Sequence, residues 1–453
     1  MLIINGKLIT WDEPNQILEG YALYLSDGRI AEIAPQQELL TRYPQEEQLD
    51  ANGQYVMPGN ICAHTHFYGA FSRGMAIPVS PPKDFPEILQ KLWWPLDRAL
   101  TLNDVRASAE VMLVDAIRHG TTTLFDHHAS PNAIDGSLDV IAQAVEQAGV
   151  RAVLCYEVTD RDGEVKAKAG IEENIRFIQR IRQGQTANGK LAATFGLHAS
   201  LTLSDATLEA CFQAAPLDVG FHIHVAESEA DEYDSLAKSG LRVVDRLDSK
   251  HLLSKHSILV HCVHVDMREA NLIAENGAWV THQPRSNMNN GVGVANVESF
   301  LRLGIPVCLG TDGFSHTMWQ EWKAAYLVQK LWHHDNRRMP ATDVATMGIY
   351  NNAALASSFF QEAPIGKLVK GAYADLIFVD YHPFTPLTPE NLPWHIVFGF
   401  HESMITTTIA AGKVLMKNRE LLTMDEEAIS AHACELAKKS WMRYEKNVKQ
   451  LFK

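Results

Sequence analysis

The pattern of apolar and polar positions divides the chain into three parts. In the first part, short apolar clusters alternate with polar turns. Leu2–Ile4 and the runs 7–11, 22–26 and 30–34 are separated by Asn-Gly and Asp-Gly pairs, the residues that tight hairpin turns require. A similar texture returns at 374–380 and at 404–416, the latter with an Ala-Gly-Lys turn inside it. Between these ends, strand-like runs alternate with segments of helical apolar spacing. Strands are expected at 55–63, 122–127, 152–157, 193–198, 220–226, 257–264, Trp279–His282 and 306–311. Helices are expected at 105–118, 138–148, 171–181, Asp205–Ala214, 243–247 and 268–275. The strand runs are short and almost continuously apolar, as when both faces of a parallel sheet are buried. Such β/α units in succession predict an α/β fold, a (β/α)8 barrel of the TIM type rather than an open sheet. The segment from Met424 reads as a helix covering the outside.

Composition narrows the function. The 46% apolar and 21% charged content is that of a folded globular chain. The formal charge of −14 argues against a nucleic-acid binder, which needs clustered Lys and Arg, and against a polybasic membrane anchor. No apolar run is long enough to span a bilayer, and the N-terminus lacks the pattern of a secretory signal. Cys62, Cys155, Cys211, Cys262, Cys308 and Cys434 are scattered without CxxC spacing, which argues against thiolate zinc sites and a disulfide framework. A reducing cytoplasm is the expected compartment.

The 20 histidines are many for this length, and where they fall is informative. In a (β/α)8 barrel the reactive residues gather at the C-terminal ends of the strands. The expected strands end in His64-Thr65-His66, Asp126-His127-His128, His198, His222-Ile223-His224 with Glu227 beyond, His261 with His264, His282, and Thr311-Asp312-Gly313. Residues two apart on a strand face the same way, so His64 and His66 can bind one ion from the barrel interior. A third histidine and a carboxylate from other strands would complete a site for Zn²⁺ or Fe²⁺. A metal at such a site lowers the pKa of its water toward neutrality.

These pieces carry a resemblance. Met57-Pro58-Gly59, His64-Thr65-His66, His224-Val225-Ala226-Glu227, His261-Cys262-Val263-His264, Gly310-Thr311-Asp312-Gly313 and the late Gly366-Lys367-Leu368, Gly371 and Ala374-Asp375-Leu376 fall in the order seen in the amidohydrolase superfamily. The chain resembles its mononuclear-metal aminohydrolases, the cytosine, guanine and adenosine-derivative deaminases and triazine hydrolases. The resemblance implies that His64, His66, His224 and Asp312 hold one divalent metal, zinc being expected and iron the alternative. It implies that Asp312 also takes a proton from the water, that Glu227 carries it to a substrate ring nitrogen, and that His261 orients the hydroxide or steadies the developing alkoxide. His198 would be a pocket histidine, although the chain departs from the group at Ser200, where a proline is usual. Binuclear relatives use a strand-four lysine; here 193–198 has none and Lys190 lies before it, which favours one metal.

Asp126, His127, His128, Arg285, Asn287 and His316 are candidates for reading a flat ring, against the alternative of plain loop structure. Arg73 and Trp93-Trp94 lie in an insertion after strand one and suit a lid, although core packing competes for at least one of the tryptophans. His222 is expected behind His224 or in the core, and His264 behind the site or at the surface. The resemblance further implies that residues 1–57 and 365–423 pair into a composite β-sandwich domain. The barrel would then span 58–364 and the C-terminal helix 424–453. The expected activity is hydrolytic removal of an amino group from a purine, pterin, pyrimidine or triazine, with a small-molecule heteroaromatic as partner and a homodimer or higher homo-oligomer as the assembly. The alternatives are opening of a cyclic amide, hydrolysis of a chloro or alkylamino substituent, or an inactive scaffold relative.

Overall fold

The computed structural model describes residues 1–452. The turn chemistry at the N-terminus acts as expected. Tyr21–Ser26 and Arg29–Pro35 form an antiparallel hairpin whose turn residues, Asp27 and Gly28, both have positive φ, as a type I′ turn demands. With Leu2–Ile4 and Gln48–Asp50 they make a four-stranded sheet. A seven-stranded sheet is shared by the two chain ends. In it Tyr55–Pro58 pairs antiparallel with Leu376–Val379, and Ile405–Ala410 and Lys413–Lys417 extend the sheet outward. Ile3, Leu8, Leu25 and Ile30 of the N-terminal region meet Val56, Leu376, Phe378 and Ile409 in one buried cluster between the sheets.

The expected strand 55–63 is two strands. Tyr55–Pro58 belongs to the seven-stranded sheet, and Asn60–Thr65 is the first barrel strand. The chain turns at Gly59, where a Cβ would come within 2.4 Å of Thr122. Both halves are buried, so the apolar pattern carries no mark of the break.

The barrel continues with Thr121–His128, Arg151–Tyr156, Leu191–Ala193 with Phe195–Ala199, Phe221–Val225, Ile258–His261, Trp279–His282 and Val307–Leu309. Their pairings are parallel. Bridges Val158↔Leu197 and Thr65↔Asp312 close the ring between strands three and four and between eight and one. The expected sixth strand is shorter than 257–264, because His261 and Cys262 both take left-handed backbone conformations. Ala226 and Asp312 do so too. Non-glycine residues in that region are strained and cluster where side chains must be aimed.

The helices run longer than their apolar spacing shows. Leu102–Arg118 begins in a capping box between Thr101 and Asp104, and Glu164–Arg182 starts well before its first apolar repeat. The last helix, Glu426–Leu451, crosses Leu102–Arg118 and is fastened to it by Arg443–Asp104 (2.6 Å) and Arg118–Glu426. Lys453, the end of the expected C-terminal helix, lies outside the described residues. All six cysteines are free, and five are buried. Among the described residues no helix is long and apolar enough to cross a membrane.

Candidate metal centre and active site

His66 follows the last residue of its strand but keeps an extended backbone, so the two-residue period still places it beside His64. Their Nε2 atoms lie 3.7 and 3.1 Å from Asp312 Oδ1, and His66 Nε2 lies 3.2 Å from His224 Nε2. The opposite nitrogens are all engaged. His66 Nδ1 donates to His127 O (2.6 Å) and His224 Nδ1 to His198 O (2.7 Å). His64 Nδ1 bonds His222 Nε2 at 2.9 Å, which gives His222 the supporting place expected for it.

These bonds fix the tautomers. A carbonyl can only accept, so Nδ1 of His66 and of His224 carries a hydrogen, which leaves each Nε2 as the ligating nitrogen. The two Nε2 atoms face each other beside a carboxylate. Burial opposes a charge on His66, but Asp312 and Glu157 raise its pKa well above the ordinary imidazole value. His64 Nε2 is buried with no hydrogen-bond partner. A shared cation satisfies all of these groups together, and the donor set suits a divalent ion. His127 lies close enough to join the group. Its Nε2, however, donates to His222 O (3.0 Å) and its Nδ1 faces Glu157 Oε1 (3.2 Å), so neither nitrogen is left for a metal.

Glu227, His261 and Asp312 form the adjoining cluster, with one donor atom from each within 4.8 Å of the others. His261 has the opposite tautomer to the ligand histidines. Asn287 Nδ2 donates to His261 Nδ1 (3.0 Å), so Nε2 carries the hydrogen, 3.4 Å from Glu227 Oε2 and 3.8 Å from Asp312 Oδ2. Burial lowers the His261 pKa to about 4, which keeps the ring neutral. The two carboxylates are driven apart. Burial and, next, the Asp312 charge push Glu227 well above the ordinary carboxyl range. Burial opposes ionisation of Asp312 too, but the His64 and His66 rings hold it well below its ordinary value. Ser286 Oγ donates to Asp312 Oδ2 (2.5 Å) and Asn290 Nδ2 to Glu227 Oε1 (3.2 Å). One carboxyl whose pKa is driven up beside one whose pKa is driven down is the division of labour that acid–base chemistry needs.

The cavity above this centre has a volume of about 590 Å³. Of the residues expected to read substrate, Arg73, Trp93 and His198 line it; Asp126, His128, Arg285, Asn287 and His316 do not. Asp126 accepts the Phe67 amide (2.7 Å) and fixes the turn after His66. His128 Nε2 bonds Ser130 Oγ at 2.9 Å. Arg285 is spent on Glu321, Thr317 Oγ1 and Ser315 O. Asn287 orients His261. His316 is fully buried between Asp115 (3.3 Å) and Thr65 Oγ1 (3.1 Å). His264 lies beyond its strand and bonds Val292 O (2.8 Å).

Glu157 is the residue that sequence reasoning passed over. It ends the expected strand 152–157 and directly follows the observed one, Arg151–Tyr156, so the strand-end criterion applied to the other strands would have found it. It is buried, with Oε1 3.2 Å from both His66 Nδ1 and His127 Nδ1. Burial opposes its charge, but the surrounding imidazoles, His127 foremost, hold it well below the ordinary range.

The chain matches the Amidohydrolase family over residues 55–415. It is 34% identical over 399 residues to the 5-methylthioadenosine/S-adenosylhomocysteine deaminase of Haloarcula marismortui, covering 86% of this chain and 88% of that protein. It is 31% identical over 439 residues to the 5'-deoxyadenosine deaminase of Methanosarcina mazei, covering 96% of each. The crystal structure of a zinc-bound adenosine deaminase from Xanthomonas campestris superposes with a TM-score of 0.84 at 24% identity, over 97% of this chain and 98% of that one.

Proposed function

Because the chain belongs to the amidohydrolase family, we propose that it is a metal-dependent aminohydrolase that deaminates a small amino-substituted nitrogen heteroaromatic, an adenosine-type purine first among them. The observation that carries the reading is the convergence of three imidazole Nε2 atoms and Asp312 beside Glu227, whose pKa is raised, and His261. The named deaminase activity of relatives at 34% and 31% identity supports it. His64, His66, His224 and Asp312 would hold one divalent cation, and zinc suits a set of three imidazoles and one carboxylate. Bound there, the cation supplies a water that ionises at neutral pH.

The chain's own groups do the rest. Asp312 accepts a proton from the attacking water. Glu227 gives its Oε2 proton to the ring nitrogen beside the amino-bearing carbon, which makes that carbon electrophilic. His261 Nε2–H donates to the oxygen as charge develops on it. A C–O bond forms. The proton held by Asp312 passes to the amino nitrogen, the C–N bond breaks and ammonia leaves. The proton still on the new oxygen returns to Glu227 as the carbonyl forms.

The cavity wall points to the substrate class. Phe85, Leu89, Trp93, Trp94 and Leu201 give it an apolar mouth, and Arg73 is the only Lys or Arg side chain in the lining. Asp115, Glu157, Glu227 and Asp231 line it as well. A phosphate would meet acids and indoles with one exposed arginine to pair it. Adenosine or 5'-deoxyadenosine should therefore exceed adenosine 5'-monophosphate in kcat/KM by about 100-fold or more, the cost of a charge left among like charges. Ammonia release from purified, metal-analysed protein against purines, pterins, pyrimidines and triazines tests the whole reading. Chloride, an alkylamine or an opened ring in place of ammonia would refute deamination.

Glu157 acts on His66 from behind. Glu157→Gln keeps the shape and removes the charge that strengthens the imidazole as a ligand. It should weaken metal affinity about 10–100-fold, read by competition with a chromophoric chelator.

A further inference from the structure

The cavity wall is braced from the far end of the chain. Residues 67–99 leave the first barrel strand, supply Tyr68, Arg73, Phe85, Leu89, Trp93 and Trp94 to the cavity, and return to the barrel helices. Trp93 sits directly over the metal centre's backbone. A Cβ on Gly313, next to Asp312, would lie 3.3 Å from its ring, and one on Gly69 would lie 3.6 Å away.

The helix carrying Trp93 is irregular for a reason written in the sequence. Pro95 has no N–H and its ring crowds the carbonyl four residues back, that of Lys91. The helix widens into a π-turn over Leu89–Trp93 and resumes as Trp94–Asp97. The Lys91 carbonyl thereby loses its ordinary donor. Tyr444, on the C-terminal helix and fully buried, gives its hydroxyl hydrogen to that oxygen at 2.7 Å. Its neighbours treat the same segment alike. Asn447 Nδ2 donates to Pro95 O (3.1 Å), Arg443 Nε to Ala99 O (2.6 Å) and Trp441 Nε1 to Phe71 O (2.7 Å).

We propose that Tyr444 is a positioning residue for substrate binding: by supplying the donor that Pro95 denies to Lys91, it holds Trp93 in place as the wall against which the substrate ring lies. Tyr444 touches neither the metal centre nor the cavity, so its effect falls on binding rather than on proton transfer.

The test is Tyr444→Phe, which removes one oxygen and keeps the ring. KM should rise about five-fold, the size of one net hydrogen bond, with kcat within about two-fold. Hydrogen exchange in residues 85–99 should quicken while that of the helix Met318–His333 stays as it was. Asn447→Ala, a half-buried site that avoids a fold-breaking change, should move both readouts the same way. Unchanged exchange in 85–99 would overturn the proposal, as would a fall in kcat at constant KM. Only the kinetic arm rests on the proposed deamination. If the unmodified protein turns over none of the rings, that reading fails and the exchange result alone decides the brace.

Discussion

Glu227→Gln should lower kcat by about 10³-fold, within the range that one positioned acid–base group contributes, while metal content stays near one per chain. The substitution is close to isosteric. The Gln amide can keep a hydrogen bond to Asn290, so the cavity holds its shape. What is lost is a proton that can leave and return. Burial and the nearby Asp312 charge push the Glu227 pKa well above the ordinary carboxyl range, and an amide has no such proton to exchange. The assay pairs ammonia release with metal analysis of the same sample. A variant retaining more than about a tenth of the activity, against the ~10²–10⁴-fold expected of such a group, would remove Glu227 from the proton path.

Metal removal should be the larger effect. Chelator-treated protein is expected to lose activity by roughly 10⁴-fold or more and to melt at a lower temperature, because binding only to the folded state adds about 4 kcal/mol of stability at a thousandfold excess over Kd. Zn²⁺ should restore both. His224→Ala should show the same losses without restoration, since it removes a lone pair that faces His66 Nε2 at 3.2 Å. His127→Ala separates the ligand group from its neighbours. Both His127 nitrogens are already engaged, so the variant should weaken the metal and not abolish its binding.

The fold and the candidate metal centre were legible because strand period and strand-end position constrain side chains strongly. His64, His66, His224, Glu227, His261 and Asp312 could be picked out as a group from these rules together with the resemblance, and the structure brings them together. The loop candidates were not legible in this way. Arg285, Asn287 and His316 are polar residues near the barrel mouth, and nothing local tells an arginine aimed at a ligand from one consumed by a buried glutamate such as Glu321. The break at Gly59 was hidden because strands on both sides of it are buried. The early end of the sixth strand was hidden because left-handed backbone at His261 and Cys262 is imposed by packing, not by residue preference. Trp93 was placed in a lid from its chemistry, but the hydrogen bond that holds its helix comes from Tyr444, whose position no local pattern announces.

The shared seven-stranded sheet also sets the order in which the molecule can be made. Tyr55–Pro58 emerges from the ribosome early, and its partner Leu376–Val379 emerges only after the whole barrel has been synthesised. At ~5–20 residues per second the early strand waits on the order of tens of seconds with one edge open. A pairing so distant along the chain is slow to form and exposes a template for mispairing while it waits. A strand translated early is thus among the last to be fully paired, and a nascent chain stalled before Leu376 would present that open edge to chaperones or to other copies of itself.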